Sequence, residues 1–140
     1  MIGVDTSFLV AFEIREHNRH KSARELAIHR QEEGFAISTQ VLAEFLHIVT
    51  DPRRFEQPLS MENAIARIHR WWHAREVRVI TAGELVGSRF LDLLRVHHLG
   101  RKNLLDTLLA ATYLEAGVHV IATVNTGDFT RFEGMGTVPV

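Results

Sequence analysis

One stretch constrains this chain more than any other: Leu104-Leu105-Asp106-Thr107-Leu108-Leu109-Ala110-Ala111-Thr112. Apolar or small residues fill nearly every position from Leu104 to Ala116, leaving no polar face for solvent. A helix that is apolar on all sides is a buried one. Asp106 is the single acid in the run before Glu115. A lone carboxylate in a buried helix needs hydrogen-bond donors, a counter-charge or a metal ion, because an unpaired buried ion is very costly. Two readings of Asp106 stand at this point. With Asn103 as N-cap, Asp106 occupies the third helical position, the geometry of a capping box favoured by the helix dipole. As a ligand, it needs partners from elsewhere in the chain.

The rest of the sequence alternates short apolar strands with helices. Ile2-Gly3-Val4 predicts a strand that hands over at Asp5 to a helix carrying Phe8, Leu9, Ala11, Phe12 and Ile14 at helical spacing. A second helix is predicted over 17–33, with Ala23, Leu26, Ala27 and Ile28 inward and Gly34 ending it. Phe35-Ala36-Ile37 predicts a strand, and Ser38-Thr39 the cap of a helix over 40–50 that stops before Pro52. A proline-bounded loop, 51–59, leads into a helix from Ser60 to about Ala74. Strand is predicted at 77–80, helix at 83–98 and 103–116, strand at 118–122, and a short edge strand at 138–140, where proline is tolerated. This alternation predicts an α/β domain of three layers, α/β/α, with a mostly parallel central sheet. At 140 residues the chain makes one domain, 1–140, rather than two.

Composition removes several classes of function. The absence of cysteine excludes disulfides, thiolate zinc sites and cysteine nucleophiles. No apolar run approaches the roughly 18 residues that span a bilayer, and residues 1–12 lack the basic leader of a signal peptide, so a cytoplasmic location is expected. A net charge of −1 gives no global attraction to nucleic acid, so any such contact must use a local basic patch. Of the 16 Lys and Arg residues only Lys21 and Lys102 are lysine, and Arg is the better bidentate phosphate binder.

In open parallel sheets, ligands bind beyond the carboxyl ends of the strands. That rule selects Asp5, Ser38-Thr39, Thr123 and Asn125, oxygen-bearing residues that follow three predicted strands. Glu44 repeats the oddity of Asp106: it is the only acid of a largely apolar helix, two turns beyond Ser38 and out of reach of any capping role. A salt bridge or an exposed stripe shared with His47 is its simpler reading. Asp5 by itself also fits an N-cap. Three such acids in one small domain point instead to convergence. Carboxylates brought together raise one another's pKa unless a cation neutralises them. Oxygen-only ligands without cysteine favour a hard ion, Mg²⁺ or Mn²⁺, over zinc.

Val4-Asp5-Thr6-Ser7-Phe8-Leu9, Leu42-Ala43-Glu44-Phe45, Leu105-Asp106-Thr107-Leu108-Leu109-Ala110-Ala111-Thr112 and Ala122-Thr123-Val124-Asn125-Thr126-Gly127-Asp128-Phe129 resemble the four motifs of PIN-domain ribonucleases, and most of all those of VapC toxins of toxin–antitoxin pairs. Each motif is weak alone; four in order over the whole chain are specific. The resemblance implies a compact α/β/α fold and Mg²⁺- or Mn²⁺-dependent endonuclease action on RNA. It also implies a homodimer, and inhibition by a VapB-like antitoxin lying across the active-site groove. Carried over by position, Asp5, Glu44 and Asp106 match the core acids, and Thr6 and Thr123 the accompanying hydroxyls. Asn125 stands where many members carry a fourth acid, which leaves Asp128 as an alternative source of that charge. Asp5 and Asp106 are then expected as the nearest metal ligands, with Glu44 and Asn125 acting partly through water. Two other readings are a catalytically silent PIN-like module that binds RNA or protein, and a DNA-directed 5′ nuclease of related fold, which would need a more basic surface.

Arg53 and Arg54 in the proline loop, and Arg101 and Lys102 before the Asp106 helix, are candidate RNA phosphate contacts. His69 and His73 have a metal-compatible spacing without a third ligand. His97-His98 fit a helix C-terminus. Trp71-Trp72 among Arg67, Arg70 and Arg75 suit either base stacking or core packing. No phosphate-binding glycine loop is present.

Overall fold

The computed structural model describes residues 1–140. In chain order the elements are β1 (Ile2–Val4), α1 (Thr6–Glu13), α2 (His20–Arg30), β2 (Phe35–Ser38), α3 (Thr39–Val49), α4 (Met61–His73), β3 (Val77–Ile80), α5 (Glu84–Val96), α6 (Leu104–Glu115), β4 (Val120–Thr123) and β5 (Gly136–Pro139). Short 3₁₀ turns occupy Gln31–Glu33, Arg101–Asn103 and Thr126–Asp128. The five strands lie in the order β3-β2-β1-β4-β5. All four pairings are parallel, so the sheet is wholly rather than mostly parallel. Pro139 ends the edge strand β5, where its missing N–H costs no ladder bond.

Parallel strands in one sheet are joined by right-handed crossovers. Moving from β1 out to β3 places α1 to α4 on one face, and the return from β3 to β4 places α5 and α6 on the other. The three-layer α/β/α domain follows. Strand order reverses beside the central β1, between it and β4, and that switch point is where such sheets open a crevice.

The core explains the burial of both faces. Phe8, Phe12 and Phe35 gather around Trp71, whose ring stands edge-on to each of them at centroid distances of 5.1–6.3 Å. The indole Nε1 donates to Glu13 Oε1 at 2.9 Å, and Glu13 is further held by Arg67 and Arg70. Of the two adjacent tryptophans, Trp71 is thus core and Trp72 is exposed.

On the opposite face, Tyr113 of α6 is fully buried and its hydroxyl lies between β1 and β2. The hydroxyl's one proton is shared between Val4 O at 2.7 Å and Ala36 O at 3.0 Å, and its oxygen accepts from Val4 N at 3.2 Å and Ser38 N at 3.3 Å. It therefore satisfies backbone groups that the two strands, diverging beyond the Gly3–Ala36 pair, no longer offer each other. Gly3 makes room for the ring: a Cβ there would stand 2.7 Å from Tyr113 Cε2.

Boundaries differ from the sequence expectation where packing rather than pattern decides. The helix expected over 17–33 begins at His20, and Ile28 is exposed rather than inward. The strand expected at 118–122 runs from Val120 to Thr123, so Thr123 belongs to the strand itself. Removing the Tyr113 hydroxyl (Tyr113→Phe) leaves buried backbone groups of β1 and β2 without a partner. A loss of roughly 1–3 kcal/mol is expected, read as the shift of the urea unfolding midpoint at unchanged slope.

Candidate active site

Asp5 is the last residue before α1 and caps it, accepting Thr6 N at 2.7 Å on Oδ1 and Ser7 N at 3.3 Å on Oδ2. The capping reading of Asp5 holds, yet the residue does more than cap. Ser7 Oγ donates to Asp5 Oδ2 at 2.5 Å and Thr123 Oγ1 donates to the same oxygen at 2.8 Å. Each hydroxyl in turn accepts a backbone N–H: Val124 N reaches Ser7 Oγ at 3.0 Å, and Asn125 N reaches Thr123 Oγ1 at 3.0 Å. A hydroxyl has one proton and two lone pairs, so the two backbone donors leave the hydroxyl protons for the carboxylate. Asp5 Oδ2 is saturated, while Oδ1 keeps a lone pair beyond Thr6 N. Burial raises the Asp5 carboxyl above its ordinary value, against the lowering effect of Ser7 and Thr123.

Thr6 links Asp5 to Glu44. Its N–H serves Asp5 and its Oγ1 donates to Glu44 Oε2 at 3.0 Å. The other oxygen of Glu44 accepts Gln40 Nε2 at 2.6 Å. Glu44 forms no salt bridge, and it is half-buried where His47 is exposed.

Asp106 lies in the first turn of α6, half-buried, and its carboxylate accepts no hydrogen bond. The expected capping box is absent: Asn103 makes no side-chain cap bond, and its carbonyl instead accepts Thr107 Oγ1 at 2.6 Å. Burial and the charges of Asp128, Asp5 and Glu44 push the Asp106 carboxyl up to about 6, with Arg131 opposing. Asp106 is thus a carboxylate among carboxylates, with no donor to stabilise its charge.

Of the two candidates for a fourth acid, Asp128 acts on Asp106 more strongly than any other charge. Asn125 has an exposed side chain and contributes its backbone N–H to the Thr123 network. Arg101 and Lys102 are exposed and unpaired on the 3₁₀ turn that leads into α6. Arg53 and Arg54 are not joined to this group. Both turn to Asp51, Arg53 through Nε at 3.0 Å and Nη2 at 3.1 Å, Arg54 at 3.8 Å. His69 and His73 stack on each other without an acid or third ligand.

No three acidic or histidine side chains stand close enough to form a ready-made metal cage. The chemistry of the group nevertheless fits a hard divalent cation. It is all oxygen, it carries an excess of negative charge, and Mg²⁺ takes only one or two carboxylates directly while keeping several waters. Ser7, Gln40 and Arg131 were not singled out from the sequence. The spacing of Gln40 and Glu44, four apart on a helix, was the legible signal for one of them.

A family model of the PIN domain matches residues 2–134, and the chain belongs to that family. Within it, the fold is that of the VapC toxins. VapC20 of Mycobacterium tuberculosis, a toxin that cleaves the sarcin-ricin loop, superimposes with a TM-score of 0.67 over 86% of this chain and 87% of its own, at 21% identity. A chain of VapBC2 from Rickettsia felis, solved bound to a DNA fragment from its promoter, gives 0.72 over 100% and 99%, at 19% identity. VapBC-1 from nontypeable Haemophilus influenzae gives 0.68 over 99% and 98%, at 18% identity. Comparison with curated proteins gives no match.

Burial and like charges together at Asp106 have a measurable consequence. Because the folded-state value of Asp106 lies above the ordinary 3.8, its ionisation opposes folding, an effect that grows between about pH 4 and 6 and is complete above. Asp106→Asn, without divalent ions, is expected to raise the thermal midpoint at pH 7.5 by roughly 2–4 °C and to leave it unchanged at pH 4.

Proposed function

We propose that this chain is a Mg²⁺- or Mn²⁺-dependent endoribonuclease, the toxin of a VapBC-type toxin–antitoxin pair. The observation that carries the reading is the linkage of three acids beyond the strand ends: Thr6 joins Asp5 to Glu44, and Gln40 joins Glu44 to the α6 turn that presents Asp106, a half-buried carboxyl raised by burial and by the charges of Asp128, Asp5 and Glu44. Membership of the PIN domain family supports nuclease chemistry. The fold likeness to VapC20 and to VapBC complexes supports RNA as substrate and a VapB-like antitoxin as partner.

When bound, the divalent ion supplies a more acidic water and neutralises charge on the phosphodiester. The chain's own residues divide the remaining work. Asp5, locked by Ser7, Thr123 and the α1 N-terminus, offers Oδ1 in a single orientation. Asp106, with no hydrogen bond to lose, offers both oxygens. Glu44, both of whose oxygens accept protein donors, acts through water, and Asp128 supplies the charge that Asn125 does not. Arg101 and Lys102 lie one turn before Asp106 and hold the RNA phosphates. We further assign the protein to a homodimer, as the resemblance implies, and to the cytoplasm, as expected from the sequence. No helix is long and apolar enough to cross a membrane.

Purified protein incubated with structured and unstructured RNA, with Mg²⁺ or with EDTA, tests the reading. Cleavage is expected only with the ion. Asp5→Asn is expected to lower the rate at least about a hundredfold, more than the ten- to hundredfold typical for loss of a residue that merely supports a ligand, while remaining folded by circular dichroism. Cleavage that survives both EDTA and Asp5→Asn contradicts the proposal, and RNA retained without cleavage indicates a binding module instead.

Partnership has its own readout. Co-expression with the product of an adjacent antitoxin-like gene is expected to yield a stable complex whose RNA cleavage is suppressed at least about tenfold, a coupling on the order of 1.4 kcal/mol.

A further inference from the structure

Gln40 stands one turn before Glu44 on α3, the spacing at which helical side chains meet. Its amide nitrogen has two protons, and both are used: one goes to Glu44 Oε1 at 2.6 Å, the other to Leu105 O at 2.9 Å. Leu105 belongs to the first turn of α6 and directly precedes Asp106. One side chain therefore grips a carboxylate on α3 and the backbone beside a second carboxylate on α6.

The other end of the amide shows how firmly that orientation is imposed. Gln40 Oε1 is buried without any hydrogen-bond partner, the sole side-chain polar atom of the chain in that condition. Turning the amide over would aim Oε1 at Glu44 Oε1 and Leu105 O, two acceptors, and would leave both without a donor. Buried polar atoms are nearly always satisfied, so a tolerated orphan marks a place where another requirement dominates. Here that requirement is to hold two structures at once.

We propose that Gln40 is a positioning residue that clips the Glu44-bearing helix to the Asp106-bearing turn and so sets the separation of the two acids before any ion arrives. The consequence for chemistry rests on the metal-dependent reading above; the clip itself does not. With Thr6 on Oε2 and Gln40 on Oε1, Glu44 is fixed at both oxygens. Loss of the Gln40 donors frees Glu44 and the α6 turn from each other. The carboxylates then relax apart under their own repulsion, and an ion must pull them together again on binding.

Gln40→Met, close in size but without donors, tests this with three readouts. Mn²⁺ affinity, followed by electron paramagnetic resonance, is expected to fall about ten- to hundredfold. The turnover number on RNA is expected to fall with it while KM for RNA stays within twofold, since Gln40 lies on the carboxylate side and not among the basic residues. Amide exchange at Leu108 and Leu109, in the turn that follows the clip, is expected to quicken relative to the end of α6. Gln40→Glu keeps the packing but opposes Glu44 with a like charge, and is expected to lose more on each readout. A purely structural residue would lower stability and leave Mn²⁺ affinity and turnover of the folded fraction within twofold; that result overturns the proposal. If the unaltered protein binds no Mn²⁺, the metal-dependent reading fails, and unchanged exchange at Leu108 and Leu109 in Gln40→Met then overturns the clip as well, whereas quickened exchange sustains it.

Discussion

The structure depends on the way Asp5 is held. A carboxylate placed where β1 ends beside β4 is buried at 7% exposure, and burial of that kind is tolerated only where donors surround the charge. Here the donors come from three directions: the α1 N-terminus, the Ser7 hydroxyl and the Thr123 hydroxyl. The hydroxyls are themselves oriented by the backbone that follows β4. The central sheet, the first helix and the last strand crossing are therefore tied to a single side chain. Tyr113 performs the matching task between β1 and β2, keeping the strands apart where Asp5 and the Ser38 cap of α3 begin.

Against this well-satisfied anchor, Asp106 is left without donors. The contrast separates a role in folding from a role in chemistry. Asp5 could be explained as a cap with supporting hydroxyls. Asp106 is not a cap of that kind, because it is half-buried beside the charges of Asp128, Asp5 and Glu44 and accepts no hydrogen bond from the helix turn around it. Natural proteins keep such conflict where it serves a function, and a cation that binds only the folded chain converts the repulsion into stability.

Much of this was legible in the residues, and the failures are instructive. Alternation of strand and helix patterns was enough for the layers, because each βα unit must bury its own apolar face, and Asp5 and Thr123 were found by the rule about strand ends. The Asp106 helix was read as wholly buried, yet Leu104 and Leu105 are exposed. The first turn of α6 reaches the surface, which no helical period reveals. The capping box at Asn103 was chemically sound and did not form, because a 3₁₀ turn runs directly into α6 and gives Asn103 the wrong backbone angles for a cap. Arg53 and Arg54 both turn to Asp51, only two residues before Arg53, a local pairing that a list of basic residues does not reveal. The role of Ser7 depends on Val124 and Thr123, far away in sequence, and so leaves no local signal.

The central claim is that these carboxylates form one cation site. Anomalous scattering at the manganese edge, from crystals of the protein soaked in Mn²⁺, tests it most directly. The account predicts a peak bounded by Asp5 and Asp106, with Glu44 reached directly or through water. Crystals showing no peak there at millimolar Mn²⁺, or the strongest peak at His69 and His73 instead, would contradict it.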